Sequence, residues 1–153
     1  MNLFELRGTE IITERKINDI NTIQSKIENR LNSMKARTYI ADNVITFSTL
    51  KFYVPSGSLN DRRDSLRIIK EGWIDINQKG HSLHICWLVK LDSLYFLAFC
   101  CSIVSGIIAS LNTDIVLSLG IGIIFFLALV FAGIVLIKIQ MDDLINSSVY
   151  QNY

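Results

Sequence analysis

The stretch LYFLAFCCSIVSGIIASLNTDIVLSLGIGIIFFLALVFAGIVLI, residues 94–137, decides the fold of this chain. Asp114 is the only residue between Ser93 and Ile137 that would be charged at neutral pH. The polar break LNTDI, residues 111–115, divides the stretch into segments of about 18 and 23 residues, which reach roughly 27 and 34 Å as helices and bracket a hydrocarbon thickness of ~30 Å. Each segment is therefore predicted to be a transmembrane helix.

The polar break has the composition of a turn between two helices. Asn112 can adopt the left-handed conformation that ends a helix, and Thr113 or Asp114 can accept the free amides that begin the next one. We therefore expect a two-pass helical hairpin over residues 91–139, with helices at about 93–111 and 115–138, followed by a tail at 140–153.

The charges of the chain are concentrated before the hairpin. All but one of the 15 Lys and Arg residues precede Ser93, whereas 50% of the 153 residues are hydrophobic. A soluble domain of this size could not cover two helices that are apolar on every face. The basic excess is small and dispersed, so nucleic acid is not an expected partner, and the N-terminus shows no secretory signal.

Lysine positions predict the orientation of the hairpin. The turn has no Lys or Arg, while Lys79 and Lys90 precede the first helix and Lys138 follows the second. The positive-inside rule then places both termini in the cytoplasm. Abundant Ile and Asn with one Pro indicate an AT-rich, prokaryotic genome, and hence an inner (plasma) membrane location.

Four residues are candidate anchors at the membrane interface. Aromatic and long basic side chains are enriched where lipid headgroups meet water. Trp87 fits such an anchor and fits the core of the preceding domain equally well. The set is Trp87, Lys90, Tyr95 and Lys138.

Small residues recur every four positions in the apolar segments, which lets helix backbones approach closely. These faces either pack the two helices of one hairpin together or also join the hairpin to other subunits. The candidate helix-packing residues are Ala98, Ser102, Gly106, Ser110, Ser118, Gly122, Ala128 and Ala132.

The first 90 residues are predicted to form a small cytoplasmic α+β domain. Apolar residues at steps of three and four predict an amphipathic helix from Thr13 to about Ala36, packed on a sheet or, alternatively, in a coiled coil. Strands are expected at Val44–Val54, Ser65–Ile76 and residues 81–89, with NQKG forming the turn of an antiparallel hairpin. The strand after NQKG places Leu83, Ile85, Trp87 and Val89 on one face.

Two further features follow from position along the chain. A strand that ends at Val89 and a helix that starts near Leu91 leave almost no linker, so the sheet should transmit movement to the first apolar helix. The tail after Lys138 can continue the second helix, and we expect Met141, Leu144 and Ile145 to lie along the membrane interface.

Residues with chemical potential are few and dispersed. His81, His84 and Cys86 resemble metal ligands, but the strand period directs His81 away from the other two. Glu10 and Glu14 fall near the expected start of the long helix, where acidic residues favour the helix dipole. Arg62 and Arg63, in a predicted loop, are possible anion contacts. We therefore expect no catalytic site, metal or cofactor.

Two function hypotheses remain. In the first, a non-enzymatic membrane protein packs its hairpin into a larger complex or homo-oligomer while the cytoplasmic domain binds a soluble partner. In the second, the cytoplasmic domain senses a signal, and the hairpins then oligomerise and disrupt the bilayer. The lipid bilayer is a partner in both.

Overall fold

The computed structural model describes residues 4–12, 20–34, 36–49, 69–80, 82–111 and 114–150. Five strands and three helices lie within these residues. They are β1 (Glu5–Ile12), α1 (Ile20–Ser33), β2 (Ala36–Ala41), β3 (Val44–Thr49), β4 (Glu71–Lys79), β5 (Ser82–Lys90), α2 (Asp92–Ser110) and α3 (Ile115–Tyr150).

The strands form one antiparallel sheet in the order β1-β5-β4-β3-β2. The predicted α+β class, with antiparallel strands beside an amphipathic helix, is confirmed. The predicted β4–β5 hairpin is confirmed as well: Lys79 pairs with Ser82, and Gly80 has a φ of 63°, which a glycine adopts without a steric penalty. β4 nevertheless continues through Asn77 to Lys79, so the turn is shorter than the expected NQKG loop.

The alternation predicted for β5 is also confirmed. Its four predicted core residues are almost fully buried, whereas Ser82, His84 and Cys86 alternate with them on the opposite face. Every second residue of a strand faces the same side, so the apolar set faces the helices. The buried residues are Leu83, Ile85, Trp87 and Val89.

The N-terminal part of the prediction needs correction. α1 begins only at Ile20, and Glu10 lies in strand β1 rather than near a helix start. Glu14 lies outside the described residues. β1 pairs with β5 over its whole length, from Glu5 with Lys90 to Ile12 with Leu83, and this ladder overrides the weak strand propensity of a segment with one Gly and two Glu.

Two further boundaries differ from the prediction. The predicted helix extended to about Ala36, but Ala36 is the first residue of β2, which forms a hairpin with β3. Of the predicted strand Val44–Val54, the part up to Thr49 is strand β3. Residues 50–55, and residues 65–68 of the next predicted strand, lie outside the described residues.

One face of the sheet packs against two helices. The apolar stripe of α1 is buried through Ile23, Ile27 and Leu31, and α1 contacts β2, β3 and β4. The end of α3 packs beside α1 and adds its own buried residues to the same core. The domain core is therefore assembled from both ends of the described chain.

Two glycines provide space for aromatic rings in this core. A Cβ atom on Gly8 would lie 2.3 Å from the indole of Trp87, its cross-strand partner. A Cβ atom on Gly72 would lie 2.5 Å from the ring of its partner Phe47. Both rings are almost fully buried, so neither can move aside without disturbing the core.

The end of α3 lies in a different environment from the one predicted. The membrane-crossing part was predicted to end near Lys138 and the tail to continue the helix, and α3 does continue to Tyr150. Met141, Leu144 and Ile145, expected along a membrane interface, are instead buried in the domain core. The sheet and α1 together present an apolar surface, and the amphipathic end of α3 packs against it.

Candidate functional site

The helices α2 and α3 form an antiparallel apolar hairpin whose surface is mostly exposed. Within the described residues these are the helices that are long and apolar enough to cross a membrane. Only 17% of the apolar window of α2 and 11% of that of α3 is buried. A core helix of a soluble protein would be mostly buried, so the exposed apolar surface is the feature of this hairpin that needs an explanation.

Small residues form the contact between the two helices. A Cβ atom on Gly122 would lie 3.3 Å from the carbonyl oxygen of Ser102, and one on Gly106 would lie 3.8 Å from that of Ser118. Ala98 and Ser118 are buried in the same contact. These five of the eight predicted packing residues therefore lie where α2 meets α3, because small side chains allow the two backbones to approach.

A groove of about 530 Å³ runs along one side of this contact. Its floor includes Gly106, Ser110 and Gly122, and Phe99 and Phe126 stand among the large residues around it. The serine hydroxyls donate to carbonyls of their own helix, as from Ser110 to Ile107 at 2.7 Å and from Ser118 to Ile115 at 2.8 Å. The groove is consequently apolar in character despite its serines.

The remaining predicted packing residues, Ala128 and Ala132, are exposed on α3 and do not face α2. The small residue that contacts α2 at that level is Gly133, where a Cβ atom would lie 2.3 Å from Cδ1 of Leu94. The sequence pattern missed Gly133 because its spacing to Gly122 is not four residues. Packing of Ala128 and Ala132 against another helix stays a prediction.

The junction between sheet and hairpin contains a single connecting residue. Leu91 lies between β5 and α2, and its amide donates to the carbonyl oxygen of Phe4 at 2.8 Å. Leu91 and Leu94 are buried together with Ile137 of α3 in the same core as the sheet residues. The predicted short linker is confirmed, and the core of the domain continues without a break into the base of the hairpin.

The four predicted anchor residues occupy different environments. Trp87 is only 2% exposed and belongs to the domain core, which was one of its two expected locations. Tyr95 is half-buried, and its ring packs edge-on against Phe4 at a centroid distance of 5.4 Å. Lys138 is exposed. Phe4, itself 51% exposed, was missed because nothing in the first residues indicated that β1 would return to the base of α2.

Lys90 is exposed and forms an ion pair across the sheet, with its Nζ 2.7 Å from Oε2 of Glu71. The hydrogen bond and the opposite charge raise the pKa of Lys90 and lower the pKa of Glu71. The pair lies at the end of the sheet nearest to α2, so Lys90 is already neutralised by a neighbour in the fold.

Two carboxylates of different elements interact where α3 meets β1. Burial raises the pKa of Glu10, and the negative charge of Asp142 raises it further. Asp143, the next residue on α3, accepts from Arg30 of α1 at 3.5 Å. The end of α3 therefore has an attractive contact with α1 and a repulsive one with β1.

The remaining candidate groups that the structure describes form no assembled site. His84 and Cys86 share one face of β5, as predicted, and Thr9 donates to the sulfur of Cys86 at 3.7 Å. Among the described residues no group of three or more His, Cys, Asp or Glu side chains is arranged to hold a metal ion. His81, Arg62 and Arg63 lie outside the described residues.

Comparisons of the chain with protein-family models, with curated proteins and with solved structures found no match.

Proposed function

We propose that this chain is a non-enzymatic integral membrane protein. Its apolar hairpin crosses the lipid bilayer twice, and its sheet domain lies on the cytoplasmic surface together with both termini. The observation that supports this proposal is the exposure of large apolar side chains around both helices, such as Phe99, Val116 and Phe131. Lipid is the solvent that makes such a surface favourable, since water would have to order around it.

The dimensions of the hairpin agree with this proposal. The 19 residues of α2 reach about 28 Å, close to the hydrocarbon thickness of ~30 Å. The exposed apolar surface of α3 extends to Ile139, next to the exposed Lys138. Phe4 and Tyr95 lie at the start of α2, where aromatic side chains favour the interface between lipid and water.

Within the membrane, we infer that the hairpin packs against further helices, in a larger complex or a homo-oligomer. The exposed Ala128 and Ala132 and the groove beside Gly106 and Gly122 support this inference, since a lone pair of helices buries little surface. The cytoplasmic domain would then bind a soluble partner.

Cysteine labelling in intact cells tests the topology. In a chain whose three native cysteines are replaced by Ala, Asp114→Cys places a thiol in the turn and Asn146→Cys places one on the exposed side of the domain. We expect a membrane-impermeant maleimide to label only Asp114→Cys, and permeabilisation to add labelling of Asn146→Cys. Labelling of Asn146→Cys alone before permeabilisation would contradict the orientation, and recovery of the unsubstituted chain in the soluble fraction would contradict insertion.

The junction favours a second candidate function, a signal-dependent membrane effector. Because Leu91 alone separates β5 from α2, and α3 passes unbroken from hairpin to core, a movement of the domain reaches both helices. Crosslinking in native membranes distinguishes the two functions. A constant complex with other proteins supports the first, while homo-oligomers that appear with dye leakage only after a signal support the effector.

A further inference from the structure

The last part of α3, residues 137–149, is here called the docked segment. It packs on the sheet beside α1 through Ile137, Met141, Leu144 and Ile145, each at most 1% exposed. The same helix continues without interruption into the apolar hairpin. Any change in how the docked segment packs therefore changes the position of the helix in the hairpin.

Two buried polar side-chain atoms of the described domain lack a hydrogen-bond partner. One is Nε1 of Trp87 on β5, and the other is Oε1 of Gln140 on α3. Among the described residues these are the buried side-chain nitrogen and oxygen atoms without a partner. A buried polar atom that loses water and gains no partner destabilises the packed state, so the unpaired Oε1 of Gln140 makes the packing of α3 less favourable than its apolar contacts suggest.

Two like charges also oppose the packing of α3 on the sheet. On β1, Glu10 alternates with the outward-facing Thr9 and Ile11 and lies on the side of the sheet that α3 covers. Asp142, one residue after the fully buried Met141, is close enough to raise the pKa of Glu10. Two carboxylates on facing elements repel each other when both are ionised.

Polar side chains between the sheet and α1, the other helix on this face, form hydrogen bonds. Gln24 of α1 is buried, whereas Gln140 is half-buried, and the Nε2 of Gln24 donates to the carbonyl oxygen of Asp42 at 2.9 Å. Thr38 of β2 donates to Oδ1 of Asn32 at the end of α1 at 3.0 Å. The polar groups between α1 and the sheet therefore favour its packing, whereas those between α3 and the sheet oppose it.

We propose that the docked segment is a releasable switch, which leaves the sheet as a unit while α1 and the strands stay folded. Its release frees α3 from the domain core and thereby uncouples the hairpin from the sheet. The effect on the hairpin rests on the proposed membrane function, but the release itself is a property of the domain and is measured independently of insertion.

Thiol labelling of two matched positions tests the release. Ile145 of the docked segment and Ile45 of β3, beneath α1, are both fully buried, so Ile145→Cys and Ile45→Cys make the same change in the two layers. The full chain, with its native cysteines replaced by Ala, is kept in detergent micelles, which do not depend on insertion into a bilayer, and is treated with a thiol reagent. We expect Ile145→Cys to react at least roughly tenfold faster than Ile45→Cys. One unpaired buried polar group destabilises the packed state by an amount that corresponds to about this ratio. Equal rates would show that the core opens only as a whole, and would overturn the proposal.

A second pair of variants tests the cause. Gln140→Met keeps the length of the side chain and removes the unpaired oxygen, so labelling at Ile145→Cys should slow by roughly tenfold. Gln24→Met makes the same change at a residue with a satisfied amide and should not slow it. Unchanged or faster labelling at Ile145→Cys in the Gln140→Met chain would overturn the proposal.

Hydrogen exchange of the unsubstituted chain provides a measurement that does not depend on folding of the cysteine variants. Amides of residues 141–148 should exchange faster than those of β4 and β5, and equal protection of helix and strands would count against the switch. If only the topology experiment fails, the proposed release still stands, because thiol labelling and hydrogen exchange both measure the sheet domain.

Discussion

The two parts of α3 belong to one unbroken helix but have opposite surfaces. In residues 115–136, here called the apolar half, large side chains are exposed, including Val116 at 82% and Phe131 at 72%. In the docked segment, Ile137 is 1% exposed and Met141 is fully buried. Secondary structure is the same throughout, so the difference lies in what surrounds each part.

The composition of each part explains the difference. The apolar half has apolar residues on every face and leaves no side that water would stabilise. The docked segment alternates buried apolar residues with Lys138, Asp143 and Asn146 on the outside, and is amphipathic. One helix can therefore pass from a lipid-compatible surface to a packed core when the pattern of its residues changes, without a loop between the parts.

The largest effect is expected from a charge in the docked segment. Ile145→Asp would place an unpaired carboxylate in a fully buried position, at a cost of about 3–5 kcal/mol, enough to unfold the domain. Asn146→Asp, at the exposed neighbouring position, should leave the domain folded, and so should Ile124→Asp in the apolar half. Denaturant unfolding of the detergent-solubilised chain measures all three. Similar losses for Ile145→Asp and Ile124→Asp would remove the distinction between the two parts.

A smaller effect is expected where the two parts meet. Gly133→Val would bring a side chain against Leu94, which is 4% exposed and belongs to the domain core, so we expect a loss of about 1–3 kcal/mol. Gly120→Val makes the same change in the apolar half, where a Cβ atom meets nothing within 4 Å, and should cost far less. Near-ultraviolet circular dichroism during unfolding reports both. Equal melting of the two variants would show that the base of the hairpin does not contribute to the domain core.

The smallest effect concerns pH. The pKa of Glu10 is raised in the folded state, so the folded chain binds its proton more readily than the unfolded chain does. The penalty from this carboxylate is therefore present at neutral pH and disappears as pH falls through the raised pKa toward the ordinary value of 4.5. Glu10→Gln should stabilise the domain at neutral pH by less than about 1 kcal/mol, since the site is largely exposed and solvent screens it.

Glu71→Gln provides the control of opposite sign. The pKa of Glu71 is lowered by Lys90, so its contribution is present above the ordinary value of 4.5 and is lost as pH falls through the lowered pKa. The unfolding free energy measured from about pH 3 to pH 7, a range that covers carboxyl titration below and above the ordinary value, separates the two variants. A parallel pH dependence of the two variants would contradict the assigned environments.

Regular patterns made part of this fold predictable. The period of two in β5 identified its core face, Gly80 identified the hairpin turn, and the period of α1 identified its buried stripe. These patterns are local, because the residues that define them are near neighbours in sequence. The two apolar helices were predictable for the same reason.

Other features depend on contacts between distant residues. β1 was missed because Gly8 and Glu10 occupy its core face, and Gly8 is explained only by the indole of Trp87, which is distant in sequence. The docked segment was assigned to an interface because its amphipathic pattern fits lipid headgroups and a protein core equally well. Gly133 was overlooked since its role depends on Leu94 of the opposite helix.

The unbroken helix has a mechanical consequence. At 1.5 Å per residue, the 22 residues of the apolar half form a rod of roughly 33 Å beyond the domain. If the docked segment pivots by about 10°, the far end of that rod moves sideways by roughly 6 Å, which is more than half the usual distance between packed helix axes. In the membrane protein proposed above, a change too small to unfold the sheet would thus be amplified into a new arrangement of neighbouring helices at the opposite surface of the bilayer.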